Sequence, residues 1–339
     1  MTQQNIQGKI VFTANPRGFC AGVERAIDIV ELALKVYGPP LFVKHAIVHN
    51  THVMRRLEKK GVIFTDDIES IPPHARVVFS AHGSPPAHFE QAKRRGLSVI
   101  DATCPLVTKV HLEVKRYARE GRDILMIGHK GHVEPVGTLG NADNVQTYLV
   151  DSADDAEAVV VKDPERLAVV TQTTLSLDET QQTLEILKKR FPHAAFPTNK
   201  DICYATTNRQ IAVKELLPLI QMLIVVGSST SSNSNRLREV GKRAGKPSYL
   251  IDDVSGLSPD WLEGIVSVGV TSGASVPDDL VANVVHALEK IGYRHVSDKG
   301  KFEEVSFSLP RDLIQIAEQR NKGKTIIEKH STKGRHMRV

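Results

Sequence analysis

Three cysteines stand out among the 339 residues because all three read as sitting between a β-strand and a helix. They are Cys20 in Arg17-Gly18-Phe19-Cys20-Ala21-Gly22, Cys104 in Asp101-Ala102-Thr103-Cys104-Pro105, and Cys203 in Asp201-Ile202-Cys203-Tyr204-Ala205. A cysteine at a helix start sees the positive end of the helix dipole, which favours thiolate over thiol. Three such thiolates can converge on one metal centre, and three ligands leave a position open for chemistry. An odd cysteine count argues for a reducing, cytoplasmic setting, and no C-x-x-C pair supports a zinc-finger or thioredoxin reading.

Several polar residues sit at comparable positions. His49 lies shortly after a strand at 41–45, His82 directly after one at 76–81, and His129 and His132 after one at 123–128. A lone histidine is ordinarily a structural residue; a set at equivalent strand ends is a candidate site. His132 and Glu134, between Gly131 and Pro135, pair an imidazole with a carboxylate. That pair suits proton delivery, since a carboxyl group shielded from water can stay protonated near neutrality. A strand at 222–227 runs into seven hydroxyl or amide residues from Ser228 to Ser234, Ser231, Ser232 and Asn233 among them, just before a helix. Strand, small polar loop and helix start make an anion cradle of backbone amides and hydroxyls. The strand 265–271 ends likewise in Thr271-Ser272-Gly273-Ala274-Ser275, and 166–171 in Thr171-Gln172-Thr173-Thr174. No Walker A or dinucleotide motif is present, so a phosphate group held here belongs to a small substrate.

The elements that must position these residues alternate along the chain. Apolar, β-branched runs suit buried strands at 9–14, 41–45, 76–81, 97–102, 123–128, 166–171, 222–227, 247–251 and 265–271. Helical spacing follows Cys20 as far as Gly38 and recurs at 105–120, 178–190, 204–217, 234–244 and 277–291. Such alternation implies right-handed crossovers and parallel sheets covered on both faces, with ligands beyond the strands' carboxyl ends. The cysteines lie 84 and 99 residues apart, which suggests three similar small α/β modules facing a common centre.

Composition narrows the class. A hydrophobic fraction of 41% with 24% charged residues describes a soluble globular protein. No run of 18 apolar residues offers a membrane span, and Met1-Thr2-Gln3-Gln4-Asn5 has neither basic start nor apolar core, so no signal peptide is expected. The net charge of +5 is local: residues 320–339 carry seven Lys or Arg against Glu328 and contribute +6. The rest of the chain carries no basic stripe, which argues against nucleic acid as a partner. The tail reads as a solvated, disordered end.

The chain resembles the LytB family of 4-hydroxy-3-methylbut-2-enyl diphosphate reductases. The stretches that carry the likeness are Ala14-Asn15-Pro16-Arg17-Gly18-Phe19-Cys20-Ala21-Gly22-Val23, Ser80-Ala81-His82-Gly83, Asp101-Ala102-Thr103-Cys104-Pro105-Leu106-Val107, Gly131-His132-Val133-Glu134, Thr171-Gln172-Thr173-Thr174-Leu175-Ser176, Asp201-Ile202-Cys203-Tyr204-Ala205-Thr206-Thr207-Asn208-Arg209-Gln210 and Ser231-Ser232-Asn233-Ser234-Asn235-Arg236. They fall in family order over roughly residues 9–290. The resemblance implies a trefoil of three α/β domains around a central [4Fe–4S] cluster, with Cys20, Cys104 and Cys203 as ligands and one iron open. It places His49, His82, Ser231, Asn233 and Ser275 at the diphosphate, with Ser232 and His132 close by. It places Thr173 and Glu134 at the substrate hydroxyl, and it implies the last step of the methylerythritol phosphate route, yielding isopentenyl and dimethylallyl diphosphate. Electrons are then expected from a ferredoxin- or flavodoxin-type donor.

The expected boundaries are one domain of 9–21 and 200–290 holding Cys20 and Cys203, a second of 22–104 ending at Cys104, a third of 105–199, an arm at 291–319 and the basic tail at 320–339. Many family members have Pro-Glu-Val where this chain has Val133-Glu134-Pro135, and the tail matches nothing in the family. The alternatives of another class are a zinc hydrolase with a three-thiolate site and a non-catalytic iron–sulfur or RNA-binding protein. The hydroxyl-rich loops speak against the last two.

Overall fold

The computed structural model describes residues 8–197, 201–297 and 303–320. Among them the chain is a mixed α/β fold with three small sheets, every strand pair of which is parallel. It divides into two compact units. One consists of the described residues of Met1–Cys20, His49–Thr51 and Tyr204–Glu303. The other holds those of Ala21–Val48, His52–Cys203 and Glu304 onward. The sequence reading grouped Cys203 with Cys20 and separated 22–104 from 105–199; here the boundary falls between Cys203 and Tyr204, and both middle segments share one unit.

The first unit is built on a five-stranded sheet. Its strands are β1 (Lys9–Thr13), β9 (Met222–Val226), β10 (Ser248–Ile251), β11 (Ser267–Ser272) and β12 (Tyr293–Ser297), in the order β10-β9-β11-β1-β12. β9 is Met-Leu-Ile-Val-Val with all five residues buried, as a central parallel strand covered on both faces requires. Alternation sorts its side chains: Ile224 packs with Val281, Val284 and Leu288 of α10 (Asp278–Lys290), whereas Leu223 and Val225 pack with Val213 and Leu216 of α8 (Tyr204–Leu216) and Leu237 of α9 (Ser232–Arg243). β12 is a correction to the sequence reading, which began an arm at 291; Tyr293–Ser297 pair in register with β1.

In the second unit a four-stranded sheet comprises β2 (Leu41–Lys44), β3 (Val62–Thr65), β4 (Arg76–Phe79) and β5 (Ser98–Asp101), ordered β3-β2-β4-β5. A three-stranded sheet comprises β6 (Asp123–Ile127), β7 (Thr147–Val150) and β8 (Leu167–Thr171), ordered β7-β6-β8. Ile124 and Met126 of β6 face Val110, Val114 and Tyr117 of α4 (Pro105–Arg119). Leu125 and Ile127 face Leu187 of α7 (Leu177–Arg190) on the other side. The remaining helices are α1 (Ala21–Tyr37), α2 (Thr51–Glu58), α3 (Pro86–Arg94), α5 (Val133–Leu139), α6 (Ala153–Ala158) and α11 (Arg311–Arg320). Within the expected arm, α11 packs on α1 and buries Leu313 and Ala317. The basic residues beyond Arg320 lie outside the described residues.

One local expectation fails. No strand immediately precedes Cys203 among the described residues: α7 ends at Arg190, and Ala195 makes a single parallel bridge to Ala168. The Asp201–Cys203 stretch meets the end of β8 through single hydrogen bonds, not a ladder. Thr171 N donates to Asp201 Oδ2 at 3.0 Å, and Cys203 N donates to Thr173 O at 3.0 Å.

Candidate active site

The three cysteines share one backbone device. Cys20 N donates to Ala274 O at 3.1 Å, two residues past the end of β11. Cys104 N donates to Ala81 O at 3.0 Å, two residues past β4. Cys203 N donates to Thr173 O, two residues past β8. Each cysteine is followed at once by a helix: α1 from Ala21, α4 from Pro105 and α8 from Tyr204. Proline at the first position of α4 suits a helix start, where its missing N–H has no intrahelical partner. All three cysteines are half-buried. A thiol held at a strand's carboxyl end and a helix's amino end sits where negative charge is favoured, so the donor set suits a metal cluster.

In the first unit the loop after β9 is packed with hydroxyls. Ser231 caps α9 by accepting from Ser234 N at 3.3 Å, and Ser234 Oγ donates to Ser231 Oγ at 3.1 Å. The loops after β9 and β11 close around Ser234, since a Cβ at Gly273 would lie 2.1 Å from its Oγ. Asn233 is buried, yet both its amide nitrogen and its amide oxygen lack a hydrogen-bond partner. Buried polar atoms are nearly always paired, so this amide is the strongest indication of a ligand in the loop. Ser232 is buried beside it in sequence. Ser275 Oγ donates to His49 O at 3.0 Å, bringing together two residues 226 apart that the sequence singled out.

In the second unit the ends of β6 and β8 hold the carboxylate. Glu134 lies in the first turn of α5, with His132 as the capping residue. Glu134 N donates to His132 Nδ1 at 3.2 Å, so Nδ1 is an acceptor and the neutral ring carries its proton on Nε2. The His132 and His82 rings meet edge-on with centroids 5.9 Å apart. Glu134 Oε1 accepts from Thr173 N at 2.7 Å. Burial pushes the Glu134 carboxyl up to about 7, outweighing the Thr173 hydrogen bonds that favour its charged form, and the Asp201 charge adds to the rise. Near neutrality this group can therefore hold a proton or give it up.

Two residues that lie in the matching stretches but carry no role in the sequence reading complete the corner. Gln172 is fully buried and accepts from His129 N at 2.9 Å while donating to Thr174 Oγ1 at 2.9 Å, so it ties the two loops together. Asp201 is likewise buried, its carboxyl also raised, chiefly by burial, with Lys109 only partly opposing at 3.6 Å. Its position two residues before Cys203 was the available signal.

The family model described as LytB protein matches residues 11–289. The chain belongs to the LytB family. Among its LytB relatives, the 4-hydroxy-3-methylbut-2-enyl diphosphate reductase of Alcanivorax borkumensis is 51% identical over 304 residues, covering 88% of this chain and 98% of the relative. That of Azotobacter vinelandii is 50% identical over 308 residues, covering 90% and 98%. The solved structure of the E-1-hydroxy-2-methyl-but-2-enyl-4-diphosphate reductase from Plasmodium falciparum superposes with a TM-score of 0.88 at 38% identity, covering 93% of this chain and 99% of that one. Membership of LytB makes this an oxidoreductase family and implies an iron–sulfur group. A three-thiolate zinc hydrolase finds no support in these likenesses. Among the described residues no helix is long and apolar enough to cross a membrane.

Proposed function

We propose that the chain reduces 4-hydroxy-3-methylbut-2-enyl diphosphate to isopentenyl and dimethylallyl diphosphate in the cytoplasm. The allylic C–O bond breaks, two electrons and two protons are taken up, and the oxygen leaves as water. The observation that carries the reading is the thrice-repeated cysteine setting, each N–H bonded to a carbonyl two residues past a strand end, each thiol ahead of a helix. Cys20, Cys104 and Cys203 would hold a [4Fe–4S] cluster. When bound, the cluster supplies the electrons one at a time and Lewis acidity at an iron that carries no cysteine. A ferredoxin- or flavodoxin-type protein would provide those electrons.

The remaining work falls to side chains. Asn233, Ser231, Ser232, Ser275, His49 and His82 hold the diphosphate, the buried Asn233 Nδ2 donating to a phosphate oxygen. Thr173, whose N–H fixes the Glu134 carboxylate, meets the substrate hydroxyl. Glu134, raised by burial to about 7, can carry a proton near neutrality and delivers it to the departing oxygen, with His132 oriented beside it.

Anaerobic purification tests the reading. The unaltered protein should contain iron and sulfide and release water and both products from the allylic diphosphate when chemically reduced. Cys20→Ser, Cys104→Ser and Cys203→Ser should each lose iron and turnover. A variant that keeps both removes its cysteine from the ligand set, and stoichiometric zinc without iron overturns the whole reading.

A further inference from the structure

The loop that presents Cys20 is clamped from three sides, and one clamp reaches it through a buried arginine with no catalytic task. Gly18 N donates to Ser272 Oγ at 2.8 Å, and Cys20 N to Ala274 O. Gly18 O accepts from Arg209 Nη2 at 2.8 Å. Gly18 has φ +73°, and a Cβ there would stand 2.2 Å from Asp278 Oδ1, so no other residue fits the turn unstrained.

Arg209 sits on α8, six residues past Cys203, and its side chain has no exposure at all. Its Nη1 donates to Ala205 O at 3.0 Å and to both carboxylate oxygens of Glu303, at 3.2 and 3.1 Å. Glu303 Oε1 also accepts from Asn208 Nδ2 at 3.0 Å. A guanidinium this deep must be paired, and its planar fork then stays in one orientation.

We infer that Arg209, locked by Glu303, is a positioning residue that holds the Gly18–Cys20 turn in its ligand-presenting conformation. The inference rests on the reading of Cys20 as a cluster ligand. Asp278 and Arg17 belong to the same charge cluster: Asp278 feels the charges of both arginines. Glu303 fixes the guanidinium, the guanidinium fixes a carbonyl, and the carbonyl lies two residues from the thiol. Charge and hydrogen bonds supply the order here, where the loop itself, with glycine at its centre, has little of its own.

The test uses the full chain, first without metal. The reduced protein is alkylated with iodoacetamide at a pH of about 9, above the ordinary thiol range, so that rate reports exposure. The three cysteine peptides are quantified by mass spectrometry. Glu303→Gln and Arg209→Lys should speed labelling of Cys20 about tenfold or more, as loss of a charge-assisted bond implies, and leave Cys104 and Cys203 unchanged. Glu303→Asp, which keeps the charge, should restore most of the protection. Reconstituted Glu303→Gln protein should also surrender iron to a chelator faster than the unaltered protein. Unchanged or slower Cys20 labelling in Glu303→Gln overturns the inference, as does equal acceleration at all three cysteines, which is general loosening. If Arg209→Lys does not fold, Glu303→Gln decides alone. Should the unaltered protein take up no cluster, the proposed function fails while the labelling comparison still stands.

Discussion

The hydroxyl-lined loop after β9 and the carboxylate corner at the ends of β6 and β8 are the same kind of place, a strand end running into a helix start, and they are finished in opposite ways. After β9, Ser231 and Ser234 satisfy each other and the helix, while the Asn233 amide is buried with nothing bonded to it. At β8, Thr173 N already holds Glu134, and what is unsettled is the proton, since burial raises the carboxyl to about 7. One site waits for a partner and the other for a proton. An unpaired amide N–H suits an anion that arrives fully formed, because a phosphate oxygen can accept from Nδ2. A dry carboxyl suits a charge that changes during reaction. The pair thus divides binding from chemistry, and variants can ask whether that division is real.

The largest effect should come from Glu134→Gln, which keeps shape and hydrogen bonding but removes the acid. Turnover should fall about a hundredfold or more, with affinity for the allylic diphosphate little changed. Single-turnover reduction by pre-reduced protein, beside a direct binding titration, reads both quantities. Near-normal water release with intact binding would move the proton donor elsewhere, for instance to the substrate's own diphosphate, and the contrast with the hydroxyl loop would collapse.

The same group should leave a mark on stability. In the folded protein Glu134 holds its proton up to about pH 7, against an ordinary value of 4.5. Between those values the folded state binds more protons than the unfolded chain, so stability falls as pH rises and is lowest above about 7. The separation corresponds to roughly 3 kcal/mol at most. Glu134→Gln should therefore gain on the unaltered protein between pH 4.5 and pH 8 by up to that amount, measured by denaturant unfolding of the metal-free forms. A difference that stays constant with pH would mean that Glu134 is charged at no cost, and so not dry.

Sequence made the hydroxyl loop more legible than the carboxylate corner, for physical reasons. Seven small polar residues in a row are conspicuous, and the buried strands before both sites are unbroken apolar runs, as β8 and β9 show. Glu134 and His132 were also readable as neighbours. The raised pKa of Glu134 was not, because it comes from burial in the folded corner, which no neighbouring residue in the chain announces. β3 and β7 escaped notice because they are four-residue edge strands with partly exposed faces, so neither has a long apolar run. β12 was hidden in what looked like an arm. Cys203 lacks the strand expected before it because its backbone borrows the end of β8.

Asn233→Ala probes the binding side. Affinity for the allylic diphosphate, or for inorganic diphosphate as a probe, should weaken about tenfold to a hundredfold, with iron content and visible spectrum intact. His49→Ala and His82→Ala should behave alike. If Asn233→Ala instead lowers turnover at saturating substrate and leaves affinity alone, the amide serves the reaction, and the two regions are not divided as described.

The smallest effect should come from Gln172, which touches neither proton nor diphosphate and only joins the loops that bear Glu134 and Thr173. Gln172→Ala takes the acceptor from the part-buried His129 N–H and removes the donor to Thr174 Oγ1. A single unsatisfied buried donor costs about 1–3 kcal/mol, so the metal-free protein should unfold more easily by that amount. Glu134 would keep its bond to Thr173 N, because that bond does not pass through Gln172. Turnover should therefore drop by less than about tenfold, far short of Glu134→Gln, since the acid and its partner both remain. Gln172→Glu separates the two jobs of this side chain. It still offers an oxygen to His129 N but brings a third carboxyl group into a corner where Glu134 and Asp201 are already raised. That neighbour should push Glu134 further up and shift the alkaline limb of the rate–pH profile upward, whereas Gln172→Ala should leave the profile in place. If Gln172→Ala alone moves the profile, the amide helps to set the acidity of Glu134, and the corner's chemistry extends beyond the pair that holds the proton.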